Sequence, residues 1–237
     1  NVTKDFIVNY NDIHGNAREE IVSFRSAFQC KPGKVLISAD FCQLELRILT
    51  HLCKDPSLTD IMKNSNDDIF RKIAAKWNKI DESRVTAEQR HQTKSLCYGV
   101  VYGMGSKALA ENMSVDIDEA KKLMEEFHAA YPTIRLYTKA IVNKTKEQGY
   151  IETVTCRRRY LPSINSEDSS ESSKAERQAL NSTIQGSASD LVKNAIIKMD
   201  KNLKKFNLSQ DDCQLVLHLH DELFYEVDET KWREAIK

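Results

Sequence analysis

The residues whose types best suit chemistry are two aspartates, Asp40 and Asp221, far apart in the chain but each at the end of a segment that reads as a strand. If both strands belong to one sheet, the two carboxylates can hold a pair of magnesium ions about 3.5–4 Å apart. That arrangement activates an attacking hydroxyl and stabilises a leaving phosphate. Taken alone the pair proves little, since strand-end aspartates are commonly turn or capping residues. A second pattern gives it context. Arg90, Lys94, Tyr98 and Tyr102 follow one another at intervals of four, with Gly99 and Gly103 directly after the tyrosines. On a helix each such step advances about 40°, so two cations and two aromatic rings form one slowly turning stripe. The stripe suits a triphosphate followed by a base: cations neutralise phosphate charge that grows in a transition state, and rings stack on sugar or base. The plain alternative is a solvated basic face that runs into a packed aromatic end.

The elements that must position these groups can be read from periodicity. After a Pro32-Gly33 turn, Lys34-Val-Leu-Ile-Ser-Ala-Asp40 is apolar and β-branched, which predicts a strand ending at Asp40; from Gln43 to Leu52 the apolar spacing becomes helical. Residues 55–148 are helical in pattern almost throughout, punctuated by glycines and Pro132. Residues 150–155 predict a short strand, followed by a basic turn, an exposed Ser/Glu/Asp-rich loop at 163–173 and a long helix from about 173 to 206. The stretch 215–227 alternates on both sides of His220-Asp221, as a β-hairpin with Asp221 at its tip would. The first thirty residues read as polar and irregular, with turn signals at Asn11-Asp12 and Gly15.

Bulk properties set the frame. With 237 residues, 41% of them hydrophobic, the chain can bury a sizeable core. Thirty-five basic residues balance thirty-five acidic ones, so no global field attracts a polyanion and any such site is local. The six cysteines, at 30, 42, 53, 97, 156 and 213, show no C-x-x-C spacing of the kind zinc sites use, and scattered thiols suit a reducing compartment. No apolar run is long enough to cross a bilayer. The chain begins at Asn1 and reads as a fragment.

Asp40-Phe-Cys-Gln-Leu-Glu-Leu-Arg47 resembles motif A of the family A DNA polymerases, the stripe from Arg90 to Gly103 resembles motif B, and His220-Asp221-Glu222 resembles motif C. Arg157-Arg-Arg-Tyr-Leu-Pro162 and Glu176-Arg-Gln-Ala-Leu-Asn-Ser-Thr-Ile-Gln-Gly-Ser-Ala-Ser-Asp190 extend the similarity over nearly the whole chain. The resemblance implies an α+β right-hand polymerase fold with the thumb outside this chain. An antiparallel palm sheet would come from residues 1–50 and 150–237, with helical fingers at 51–149 between them. It implies a magnesium-dependent enzyme that adds deoxynucleotides to the primer of a primer–template DNA.

Carried over residue by residue, the resemblance makes Asp40 and Asp221 ligands of two metal ions, with the Phe41 carbonyl completing the second site and Glu222 in support. Lys94 joins the catalytic set and grips the incoming triphosphate with Arg90. Tyr98 lies against sugar and base, and Gln43 and Phe70 belong to the same nucleotide site. Glu45 resembles the steric gate that leaves no room for a ribose 2′-hydroxyl. Tyr102 stacks near the templating base, and Arg177, Asn181, Gln185 and His220 contact the primer–template. Arg157 and Arg158 either hold DNA phosphates or form a solvated surface.

Some positions depart from the common bacterial pattern. Phe41 and Cys42 stand for Tyr and Ser, Phe70 for His, Tyr98 for Phe, and Cys156 for the glycine before the arginines. Asn1-Val-Thr-Lys-Asp-Phe6, Asp67-Asp-Ile-Phe70, Cys97-Tyr-Gly99 and His220 to Glu226 are closer to the polymerase theta/nu branch, which implies a nuclear repair role in end joining or lesion bypass. Segments 7–22 and 205–214 are short where theta-type enzymes carry insertions. Two alternatives are a phage-type RNA polymerase, against which Glu45 argues, and a catalytically decayed module that only binds primer–template DNA.

Overall fold

The computed structural model describes residues 6–11, 14–23, 28–63 and 68–236. Residues 1–5, Asp12 and Asp67 of the sequence patterns above lie outside them. The chain divides into two compact units, Asn1–Asp40 with Ile196–Lys237, and Phe41–Ala195.

The first unit holds two antiparallel sheets. In one, β1 (Phe6–Asn11) pairs with β2 (Ala17–Val22). The turn signals at Asn11 and Gly15 therefore sit in a hairpin, and the irregular stretch expected there is in part a two-stranded ribbon. Among its described apolar side chains Ile7, Tyr10 and Ile21 are exposed and Val8 is half-buried, so these carry little of the burial that makes alternation readable. In the other sheet the order is β3 (Lys34–Asp40), β7 (Glu222–Asp228) and β6 (Cys213–Leu219). Gly33, at φ 76°, makes the turn that leads into β3. The inner face of this sheet buries Leu223, Tyr225 and Val227 together with Cys213. The β6–β7 register shifts between Leu215 and Leu217, which leaves Val216 as a bulge residue.

The second unit is helical. After the left-handed Gln43, α1 (Leu44–Cys53) runs into α2 (Pro56–Lys63), and the buried Asp55 between them caps α2 by accepting from the Ser57 and Leu58 amides. Asp55 also accepts from the Thr133 hydroxyl at 2.6 Å, tying this corner to α7 (Pro132–Gln148). Asp68 caps α3 (Ile69–Asn78), and a Thr86/Gln89 capping box opens α4 (Ala87–Val101). α5 (Ser106–Met113) and α6 (Ile117–Ala130) complete the bundle. Its core is Leu49, Leu58, Ile73, Leu96, Val101, Phe127, Tyr131 and Ile134, all essentially inaccessible. Pro132 opens α7, where its missing N–H costs nothing, and Gly149 closes it at φ 76°.

A short ribbon follows, β4 (Tyr150–Glu152) against β5 (Arg158–Tyr160), and then α8 (Ser169–Lys205). The loop expected at 163–173 is shorter than its composition suggests. Pro162–Asn165 forms a 3-10 turn whose Ile164 is buried with Ile151, Leu161, Ala175 and Ala179, and α8 already starts at Ser169. α9 (Trp232–Ala235) packs on β7. The α+β class and the antiparallel pairing expected from the sequence hold.

Candidate active site

The first group of interest lies in the β3–β7–β6 sheet. Asp40, the last residue of β3, is the register partner of Glu222, the first residue of β7. Asp221 precedes Glu222 in a two-residue turn between β6 and β7, as the alternation predicts. At the first turn position His220 adopts φ 56°, the positive value that tight hairpin turns require, and the His218 ring Nε2 lies 2.7 Å from the His220 carbonyl oxygen. A non-glycine residue held there is strained, and strain of this kind collects at functional sites. The Ser38 hydroxyl donates to the Glu222 carboxylate and so fixes it. Partial burial, then the negative charges of Asp221 and Glu222, push the Asp40 carboxyl up from its ordinary value.

This donor set is all oxygen and crowded with negative charge, which suits a hard divalent cation and is relieved by one. Among the described residues no group of three or more His, Cys, Asp or Glu side chains is placed to hold a metal ion. Magnesium in general needs only one or two carboxylates and fills the rest of its shell with water and substrate phosphate. The Phe41 carbonyl accepts the Leu44 amide at 3.2 Å.

The second group lies on the helical unit. Arg90, Lys94 and Tyr98 share α4, and Tyr102 is its C-cap. The Tyr98 and Tyr102 rings stack with centroids 6.0 Å apart, and Tyr98 meets Phe70 at 5.9 Å. The exposed Lys94 ammonium stands 5.9 Å from the centroids of both Phe70 and Tyr98, so its position is biased by two ring faces. Phe70, only 4% exposed, is a buried wall behind them. Arg90 is ion-paired to Asp68, the cap of α3. Partial burial alone would raise the Asp68 carboxyl, but the Arg90 hydrogen bond and the Arg71 and Phe70 amides outweigh it and hold the carboxyl low. Gly99 packs on Leu109, and Gly103, at φ 63°, turns the chain beside Arg177 and Leu180. Glu45 lies half-buried in the first turn of α1, and Gln43 precedes that helix at φ 51°, a second strained residue among the candidates.

The third group lies where the β4–β5 ribbon meets α8. Arg177 and Gln185 are exposed on α8 and Asn181 lies half-buried between them. Asp190, 9% exposed, accepts from Thr153 and Thr155 hydroxyls at 2.7 and 2.6 Å and from Arg157 Nε at 3.0 Å. Burial works against the Asp190 carboxylate, but these donors outweigh it and hold its carboxyl below the ordinary value. Cys156, at φ 64°, sits in the left-handed region, which gives a backbone reason for the glycine the resemblance puts there. The ribbon reaches α8 closely only because of Gly186. A Cβ there would stand 2.8 Å from Thr153 Cγ2 and 3.3 Å from Arg157 Nη2. Gly186→Ala is therefore expected to destabilise the protein by about 1–3 kcal/mol, visible as a lower thermal midpoint; an unchanged midpoint would mean that the ribbon yields freely.

Reading by residue type alone overlooks Ser38, Asp68 and Asp190, each of which holds a candidate residue in place. All three lie in segments that the sequence patterns include, but nothing in their spacing shows the partner; Asp190, for one, meets an arginine 33 positions earlier.

The model of DNA polymerase family A matches residues 9–237. The chain belongs to DNA polymerase family A. It is 46% identical to DNA polymerase theta of Drosophila melanogaster, over all of this chain and 12% of that protein. It is 37% identical to DNA polymerase theta of Mus musculus, covering 88% of this chain and 9% of that one. It is also 37% identical to DNA polymerase I of Geobacillus stearothermophilus, over 88% of this chain and 23% of the relative. The POL domain of Pol1 from M. smegmatis, solved in complex with DNA primer-template and dNTP, superimposes with a TM-score of 0.83 at 35% identity, covering 90% of this chain and 37% of that one. The chain thus spans less than a quarter of the length of these full-length relatives.

Proposed function

We propose that this chain is the nucleotide-adding core of a template-directed DNA polymerase, which extends a primer 3′ end with deoxynucleotides. The observation that carries the reading is the Asp40, Asp221 and Glu222 cluster on paired strands, in a chain of this family. Residues 1–50 and 150–237 serve as palm and 51–149 as fingers. Asp40 and Asp221, with the Phe41 carbonyl, would hold two magnesium ions; bound there, magnesium makes the primer hydroxyl a better nucleophile and screens phosphate charge.

The chain's own side chains do the rest. Arg90 and Lys94 bind the triphosphate and stabilise charge on it as the bond breaks. Tyr98, backed by Phe70, and Gln43 shape the nucleotide site, and Glu45 closes it to a 2′-hydroxyl. Tyr102 stacks by the templating base, while Arg177, Asn181, Gln185, His220 and Arg157 hold the primer–template. Similarity to the theta polymerases supports a role in DNA repair, by end joining or lesion bypass, and with it a nuclear location. No helix among the described residues is long and apolar enough to cross a membrane.

The direct test is templated primer extension by the intact protein with magnesium and deoxynucleotides, beside an Asp221→Ala variant. Extension that this variant lacks supports the reading; binding without extension in the unaltered protein points instead to a module that only holds DNA. Within the same assay, Tyr98→Phe is expected to raise discrimination against dideoxynucleotides by about tenfold or more, the worth of one good hydrogen bond. An unchanged dideoxy to deoxy ratio removes the Tyr98 hydroxyl from sugar recognition.

A further inference from the structure

Three arginines in a row look equivalent in sequence, but the ribbon makes them different. Side chains on a strand alternate between faces. Arg157 and Arg159 face α8: Arg157 Nη2 donates to the Gly186 carbonyl at 3.1 Å and Arg159 Nη1 to the Ser182 hydroxyl at 2.8 Å. Arg158 faces the other way, where its Nε donates to Glu152 at 3.0 Å and its guanidinium stacks 4.6 Å from the Tyr150 ring centroid. Arg157 is acid-paired and half-exposed in the same way, so what sets Arg158 apart is its face of the ribbon and its stacking on Tyr150.

On the α8 side lies a cleft of about 220 Å³, lined by Arg157, Arg159, Asn181, Ser182, Gln185 and Gly186. The Asn181 Oδ1 atom is buried there without a hydrogen-bond partner among the described residues. A buried orphan acceptor costs about 1–3 kcal/mol and calls for a donor such as water; a phosphodiester has no hydrogen to donate, so the phosphate contact rests on the two arginines and not on Asn181. Arg157 is held from behind by the buried Asp190, which accepts from Nε, and by the Gly186 carbonyl, which accepts from Nη2, while about half of the side chain stays exposed. An arginine anchored in this way presents its remaining N–H groups in a fixed fork, the geometry that suits a phosphate.

We propose that Asp190 is a positioning residue: with Thr153 and Thr155 it fixes Arg157 beside Arg159, and this pair, not Arg158, grips the phosphodiester backbone of bound DNA. The inference rests on the polymerase reading above, and it goes further by separating the arginines and giving Asp190 a task in binding.

The test measures primer–template affinity of the intact protein across a range of salt, with single-turnover addition alongside. Arg159→Ala is expected to weaken binding about tenfold and to lower the slope of log Kd against log salt by about one, the signature of one lost phosphate contact. Arg158→Ala loses less than about twofold. Asp190→Asn weakens binding several-fold and flattens the slope, while kcat at saturating DNA stays at the unaltered value. Should Asp190→Asn fail to fold, Thr155→Val removes one donor to the same carboxylate and weakens binding in the same sense. Equal losses for Arg158→Ala and Arg159→Ala, or unaltered affinity and slope in a folded Asp190 or Thr155 variant, overturn the proposal while primer extension stands. If the unaltered protein neither binds nor extends primer–template, the polymerase reading itself falls, and this inference with it.

Discussion

Asp40→Asn in the intact protein is expected to lower nucleotide addition at least about a thousandfold, with primer–template affinity held within about twofold. Asparagine keeps the shape of the side chain and removes its charge, so what is lost is the carboxylate's hold on a divalent cation, worth several kcal/mol in the transition state. The same substitution should not harm the fold. Partial burial and the charges of Asp221 and Glu222 raise the Asp40 carboxyl, so the folded state holds that proton more tightly than the unfolded chain does. The ionised carboxylate therefore costs stability as pH rises from its ordinary range through the raised value, and above that the cost is fully present. In chelating buffer the variant's thermal midpoint should equal that of the unaltered protein at low pH, overtake it across this window, and stay above it at neutral pH. A variant that melts lower at neutral pH would show that Asp40 is a structural residue and would undercut its assignment to the chemistry.

Lys94→Ala should lower single-turnover nucleotide addition by about 10²- to 10³-fold, the range for removing one preorganised charge from a developing anion. Its structural cost is small, because the ammonium is exposed and its contacts with the Phe70 and Tyr98 rings are worth roughly 0.5–1 kcal/mol. Arg90→Ala behaves differently. It strips the partner from Asp68, whose carboxyl also caps α3, so it loses stability along with activity. Comparing the two variants by melting and by rate separates charge used on substrate from charge used to build the helix pair. A normal rate for Lys94→Ala would remove that residue from the reaction.

The elements nearest the carboxylates were the most legible. β7 alternates buried and half-buried residues, β3 is a β-branched apolar run, and α1 follows a clear change of period, so Asp40 and Asp221 could be placed from apolar spacing alone. The β1–β2 ribbon was not legible, since Ile7, Tyr10 and Ile21 are exposed and mark no buried face. The start of α8 was hidden in a serine-rich stretch, although Asp168 supplies a capping acceptor to the Ser170 amide at 2.8 Å. In the candidate site, residue type announced which side chains can bind phosphate but not which are already committed. Arg90 to Asp68, Arg157 to Asp190 and Arg158 to Glu152 are pairings set by packing. The one-residue bulge at Val216 is equally silent in an alternating string.

The pairing of β3 with β7 also bears on how the protein is born. Asp40 and Glu222 meet across about 180 intervening residues, and closing so long a loop makes this ladder a late, slow contact. At ordinary ribosomal speed, roughly 10–40 s separate the synthesis of the two strands. During that interval the helices between them can form from neighbours in sequence, while Asp40 waits at the edge of an unpaired strand. A nascent chain that ends before Asp221 holds Asp40 without its two neighbouring carboxylates, so the cluster is completed only once the β6–β7 hairpin has been made.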